Sequence, residues 1–171
     1  EFTLAASAQQ GANNLVLTLP ISNDPTVATM KGTIDSGGYF NFTTQTVDGE
    51  YTITSDENIL DGTKRLYSIV KDGSGVVSMY INSILVDQIQ TTGLNSTGSN
   101  FLYLGGYVGQ PEYNYIGGFD DFSIYSTALT INEIDAHYVC WGNRNAATIT
   151  PTPTPTRAAQ LDYCGNLVVA S

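Results

Sequence analysis

The sequence predicts an all-β chain folded as a sandwich or barrel, closed by one short helix and followed by a tail of different composition. Three observations carry this. Short runs of period-two alternation extend from about Leu15 to Tyr125. Gly, Asn or Asp turns interrupt them about every eight to twelve residues. A capped amphipathic segment then begins near Thr130 and gives way to Thr150-Pro-Thr-Pro-Thr-Pro-Thr156.

The strands are read in order. Tyr39-Phe-Asn-Phe-Thr-Thr44 and Tyr51-Thr-Ile-Thr54 flank Val47-Asp-Gly-Glu50, where Asp48-Gly49 is expected to close a hairpin through positive φ angles. Leu66–Val70 and Val76–Ile81 flank Lys71-Asp-Gly-Ser-Gly75, a second hairpin, and Asn82-Ser83 turns the chain into Ile84–Ile89. Phe101–Leu104 and Gly118–Tyr125 follow; in the latter Phe122 and Ile124 share one face and Asp121, Ser123 and Tyr125 the other, so one face is expected buried and one wet. Thr130 and Glu133 form a capping box, Leu129 and Ile134 a hydrophobic staple, and Ile131, Ile134 and Tyr138 a stripe expected to dock the helix on the sandwich.

Composition bounds the function. The chain has 171 residues, with 6 Lys+Arg against 16 Asp+Glu for a formal charge of −10. The scattered cations argue against a nucleic-acid or anionic-membrane surface, because counterion release needs concentrated positive charge. Apolar runs are too short to span a bilayer, and no signal peptide stands at Glu1, so the sequence reads as a mature or excised segment. Asn41-Phe-Thr43 and Asn95-Ser-Thr97 are N-glycosylation sequons. Cys140 and Cys164 flank the Thr-Pro repeat and suit an oxidised pair better than a four-ligand metal site. Together these point to an extracellular setting.

Catalytic constellations are missing from the sequence pattern. His137 has no nucleophile motif beside it. Glu50, Glu57, Glu112 and Glu133 form no cluster resembling the paired carboxylates of a glycosidase. A non-catalytic sugar site is compatible with Tyr107, Tyr113, Tyr115 and Trp141 as stacking rings, and with Gln110, Asn114 and Asp120 as hydrogen-bonding groups.

Gly62-Thr-Lys-Arg-Leu-Tyr-Ser-Ile-Val-Lys-Asp-Gly-Ser-Gly75, Val77–Val86, Phe101-Leu-Tyr-Leu-Gly-Gly106 and Tyr115–Ile134 resemble the laminin G-like, concanavalin A-like domains. The resemblance covers roughly Gly38 to Tyr138. It implies an antiparallel two-sheet jelly roll and a role in adhesion, carbohydrate binding or accessory modules, without an enzymatic activity. Some relatives bind calcium at one rim; here only Asp120 and Asp121 are candidates, so no resident cofactor is expected beyond a possible Ca2+. Where relatives carry an aromatic before the strand leading to the Asp-Gly turn, this chain has Arg65-Leu66.

The resemblance also implies an opening strand beside the closing one. Glu1–Ala6 does not look like it, whereas Gly165–Ser171 does, so the tail strand Leu167, Val168 and Val169 is expected to supply it. Donated to a neighbour through an extended Thr-Pro connector, that strand would build a filament. Returned to its own sheet, it would be tied by a Cys140 to Cys164 disulfide closing a loop of roughly 25 residues, worth roughly 3–4 kcal/mol. A third arrangement makes the chain one repeat of a longer polypeptide. Thr150, Thr152, Thr154 and Thr156 are candidate O-glycosylation sites in any of these. The expected organisation is a sandwich over 1–139, a Cys-containing Thr/Pro-rich linker over 140–157 and a strand segment over 158–171. The leading expectation is a non-enzymatic extracellular structural protein that self-associates into a filament; the alternative is a carbohydrate-binding or adhesion module of a larger secreted protein.

Overall fold

A computed structural model describes residues 2–8, 14–20, 28–93, 102–106, 114–146, 160–161 and 167–168. Its contacts divide the chain into two compact units, Glu1–Ala128 and Leu129–Ser171.

The first unit is a two-sheet antiparallel sandwich, the all-β architecture expected. Its strands are β1 (Phe2–Ala8), β2 (Asn14–Pro20), β3 (Ala28–Ile34), β4 (Phe40–Thr46), β5 (Gly49–Thr54), β6 (Arg65–Lys71), β7 (Val76–Ile81), β8 (Ile84–Gln90), β9 (Tyr103–Leu104) and β10 (Gly117–Ile124). One sheet runs β10-β1-β6-β7-β8 and the other β5-β4-β3-β2-β9. The core lies between them: Leu17, Ile34, Phe40, Phe42 and Ile53 from one sheet meet Tyr67, Ile69, Val77, Met79 and Ile81 from the other. The Phe40 and Tyr67 rings cross the interface with centroids 5.0 Å apart. Central strand β6 is buried on both faces from Arg65 to Val70, as a strand flanked by pairs on both sides is when both its faces are covered.

Along the β5/β8 edge the sheets are tied by polar groups. Asp87 accepts from the Thr54 backbone N–H at 2.9 Å, and the Tyr51 and Thr92 hydroxyls meet at 2.6 Å. A charged residue turned toward the neighbouring sheet also protects edge strand β8 from further pairing.

Three local expectations are corrected. The opening strand is β1 itself: it pairs with β10 through Thr3↔Ser123 and with β6 through Thr3↔Ser68, so the place reserved for the tail is filled. The segment's small residues hide it in the sequence, but a slot between two strands is defined by backbone hydrogen bonds that any extended segment can offer. In the β4–β5 hairpin Thr46 pairs with Gly49, so the connecting residues are Val47-Asp48 and not Asp48-Gly49. Thr46 Oγ1 accepts from the Asp48 N–H at 3.2 Å, a hydroxyl-closed turn, and only Gly49 there has a positive φ. The positive pair occurs instead at Asn82 (51°) and Ser83 (66°), between paired Ile81 and Ile84. Finally, β10 carries a bulge at Asp121, with φ +51°, while Ile124 is 63% exposed; the two-faced reading holds at half-buried Phe122 and fails at Ile124.

The second unit contains α1 (Ile131–Ala146) and the short strands β11 (Gln160–Leu161) and β12 (Leu167–Val168). The capping box forms: the Glu133 carboxylate accepts from the Thr130 N–H at 2.7 Å, and Thr130 Oγ1 accepts from the Glu133 N–H at 3.4 Å. Ile134 is fully buried, whereas Ile131 is 51% exposed and drops out of the expected stripe. The helix continues through Cys140 to Ala146, into the segment expected as linker, over residues that include no proline. Leu167 and Val168 pair antiparallel with Leu161 and Gln160 in a two-stranded sheet of their own, not with a sandwich sheet. Val169 lies outside the described residues.

Candidate functional site

The sheet β5-β4-β3-β2-β9 has two chemically distinct faces, set by the pleat. In β3, Met30 packs on the core, so Lys31 and Thr33 point outward with Gly32 between them. In β4, Phe40 and Phe42 are core residues, which turns Asn41, Thr43 and Gln45 outward; in β5, buried Ile53 leaves Glu50, Thr52 and Thr54 outward. In β2, Leu17 is core and Thr18 is outward. Register aligns these across the sheet: Tyr103 of β9 opposes Thr18, Thr18 opposes Lys31, Lys31 opposes Thr43 and Thr43 opposes Thr52.

Every outward side chain described on β3, β4 and β5 is therefore polar, and an aromatic ring stands at the end of the central row. The Thr43 and Thr52 hydroxyls are 3.0 Å apart, Thr54 Oγ1 donates to Asn41 Oδ1 at 2.7 Å, and Lys31 Nζ lies 3.8 Å from Glu50 Oε2. The row deepens from the β5 edge inward: Thr52 and Glu50 are exposed, Thr43 is 5% exposed and Thr18 is 0% exposed. Among the described residues this face offers hydrogen-bond donors and acceptors and no nucleophile–base pair, which suits a hydroxyl-bearing ligand.

The site residues expected from the sequence fall elsewhere. Tyr115 is half-buried: its ring packs on Phe119 with centroids 4.7 Å apart, its N–H donates to the Gly105 carbonyl at 2.9 Å, and burial pushes its hydroxyl up to about 12. It is thus a rim support more than an open platform. Asn114 is exposed beside the close turn at Gly106. Trp141 is half-buried in α1, its ring 6.2 Å from that of Tyr138, and belongs to the second unit. Tyr107, Gln110, Tyr113, Asn95, Thr150, Thr152, Thr154, Thr156 and Cys164 lie outside the described residues, as does the side chain of Asp120. Cys140 is half-buried in α1. Asp121 is exposed at its bulge, and among the described residues no three carboxylate, His or Cys groups assemble to hold a metal.

Asn41 is woven into the sheet. Its Nδ2 donates to Asp35 Oδ2 at 3.1 Å and to the Tyr39 carbonyl at 3.2 Å, while its Oδ1 accepts from Thr54. Of the four glutamates after Glu1, Glu50 faces Lys31, Glu57 is held by Arg65 at 2.8 Å, Glu133 caps α1, and Glu112 lies outside the described residues. Arg65, only 6% exposed, also grips Asp61 through both its terminal nitrogens, at 2.7 and 3.0 Å. This guanidinium holds the Asp61 carboxyl well below the usual carboxylate range. The residue that replaces the family's aromatic is thus a structural clamp.

A laminin G family model described as the concanavalin A-like lectin/glucanases superfamily matches residues 4–135. The chain belongs to this superfamily. No curated protein matches it. Among solved structures, the CBM40 domain of the Ruminococcus gnavus IT-sialidase is similar at TM-score 0.66 and 14% identity, over 80% of each chain. The binding domain of paraclostridial mosquitocidal protein 1 is similar at TM-score 0.61 and 17% identity, over 83% of this chain and 37% of that one. A botulinum neurotoxin type C structure, described by its interaction with two ganglioside molecules, gives TM-score 0.62 and 17% identity over 81% and 35%. The chain thus spans little more than a third of the two toxin structures. At these identities the likeness establishes the superfamily's fold. No helix among the described residues is long and apolar enough to cross a membrane.

Proposed function

We propose that this chain is a non-enzymatic carbohydrate-binding module of a larger extracellular protein, and that the polar face of the β5-β4-β3-β2-β9 sheet holds the glycan. The observation carrying this reading is the uninterrupted polar row Thr18, Lys31, Thr43 and Thr52 with Tyr103 at its end. Sugar recognition calls for this chemistry: convergent hydrogen-bonding groups that fix orientation, with an aromatic face for the ring carbons. Support comes from the neighbours. One is described bound to α2,3-sialyllactose and another by its interaction with gangliosides.

Strand donation into filaments loses its reason, since β1 occupies the slot the tail was to fill. The tail then serves as a connector: Cys140 pairs with Cys164, the only other cysteine, and Asn95 and the Thr-Pro threonines carry glycans in an oxidising, secreted setting. The test is to apply the purified chain to a printed glycan array and to analyse the eluted sugars. Binding with the sugars recovered intact is expected. Cleaved sugars overturn the non-enzymatic reading, and an array without any signal overturns glycan binding.

A further inference from the structure

Thr18 is where the polar face departs from an ordinary wet sheet surface. It is 0% exposed, and its Oγ1 has no hydrogen-bond partner among the described residues. A buried hydroxyl left unpaired is destabilising, a cost that a valine of nearly the same shape would avoid. Its direct cross-strand neighbours are Lys31 on one side and Tyr103 on the other. Both side chains are long enough to shield it, and the flexible four-carbon stem of Lys31 allows it to be uncovered.

Lys31 itself is incompletely engaged. Its Nζ stands 3.8 Å from Glu50 Oε2, beyond hydrogen-bond distance, and the Glu50 side chain is 52% exposed. A solvent-exposed ion pair of this length contributes little, so both ends remain open to a third group. Their charges sum to zero within a chain of net charge −10. An anionic ligand would have to compete with Glu50 for one ammonium while meeting that negative field. A ligand whose groups both donate and accept satisfies the ammonium and the carboxylate together, and hydroxyl groups do this.

We infer that the polar face takes a neutral, hydroxyl-rich saccharide rather than an acidic one. Its hydroxyls bridge Lys31 and Glu50, Thr18 Oγ1 meets it at the floor, and Tyr103 offers its ring to the sugar's C–H face. The inference rests on the glycan-binding reading and narrows it to uncharged sugars.

The decisive measurement is calorimetric titration of the whole chain with neutral oligosaccharides of the gluco-, manno- and galacto-series and with their uronate- or sialate-bearing counterparts, at low and high salt. Neutral sugars are expected to bind with affinity nearly independent of salt, because no counterions are released. Thr18→Val is expected to weaken binding about fivefold, the loss of one hydrogen bond, while leaving Tm unchanged or higher. Thr18→Ser restores binding, and Lys31→Ala weakens it about tenfold. Binding confined to acidic sugars and weakened by salt overturns this inference while leaving glycan binding intact. A Thr18→Val chain that binds as tightly as the native one overturns the assigned floor. Absence of binding to either class defeats the glycan reading itself, and this inference with it.

Discussion

The two faces of the β5-β4-β3-β2-β9 sheet come from residues that alternate along the same strands, yet they do opposite work. Inward, Leu17, Phe42 and Ile53 are 1–4% exposed and make only nonspecific contacts whose strength scales with area. Outward, Thr18, Lys31, Thr43 and Thr52 form the adjacent cross-strand row and carry directional groups. The inner face accordingly sets stability, and under the proposed function the outer face discriminates between ligands. A substitution's effect should therefore depend on the parity of its position more than on its strand.

The largest expected effect is at the centre of the inner face. Phe40 is 1% exposed and stacks on Tyr67, so Phe40→Ala is expected to cost about 3–5 kcal/mol in urea unfolding. A loss below about 1 kcal/mol would mean that the two sheets are not held by this contact.

Arg65→Met comes next. Removing one partner of a fully buried ion pair costs about 3–5 kcal/mol, and this change should cost less because water already reaches Glu57 and Asp61, each 49% exposed. The effect has a pH signature. Asp61 is held below its unfolded value, so the clamp's contribution is complete above about pH 4 and fades as acid protonates the carboxyl. Melting curves of native and variant chains should converge toward low pH; a constant gap would assign the loss to packing alone.

Gly32→Ala probes the inner face from the backbone. A Cβ there would sit 3.0 Å from the Phe40 ring and 3.2 Å from Leu17, where overpacking costs about 1–3 kcal/mol. Reduced freedom of the unfolded chain returns about 0.4–1 kcal/mol, leaving a net loss near 1 kcal/mol by chemical denaturation.

The core between the two sheets was legible in the sequence because apolar alternation is its physical cause: Phe40, Phe42, Ile53, Ile69 and Met79 announce their strands. The helix start was legible for a similar reason, since Thr130 and Glu133 cap by local hydrogen bonds. β1 was hidden, because Ala5, Ala6 and Ser7 give little apolar contrast and their place is fixed by backbone pairing to β6 and β10. The outer face was hidden differently. Its threonines read as ordinary solvent-facing residues until register brings Tyr103, Thr18, Lys31 and Thr43 into one row. Residue type alone points to Tyr107, Tyr113, Tyr115 and Trp141 instead; the first two lie outside the described residues, Tyr115 is a half-buried support and Trp141 is in the other compact unit.

Glu50→Gln separates the two faces with the smallest expected change in stability. Its side chain is half exposed and its attraction to Lys31 contributes little, so unfolding free energy should move by less than about 0.5 kcal/mol. Glutamine keeps an oxygen acceptor but loses the charge that strengthens a hydrogen bond to a sugar hydroxyl, so glycan affinity should fall severalfold. A variant with native Tm and weakened binding would show that the outer face acts without supporting the fold. A several-degree drop in Tm with unchanged affinity would reverse that assignment, making Lys31 and Glu50 part of the scaffold and moving the search for the ligand to the Tyr115 rim.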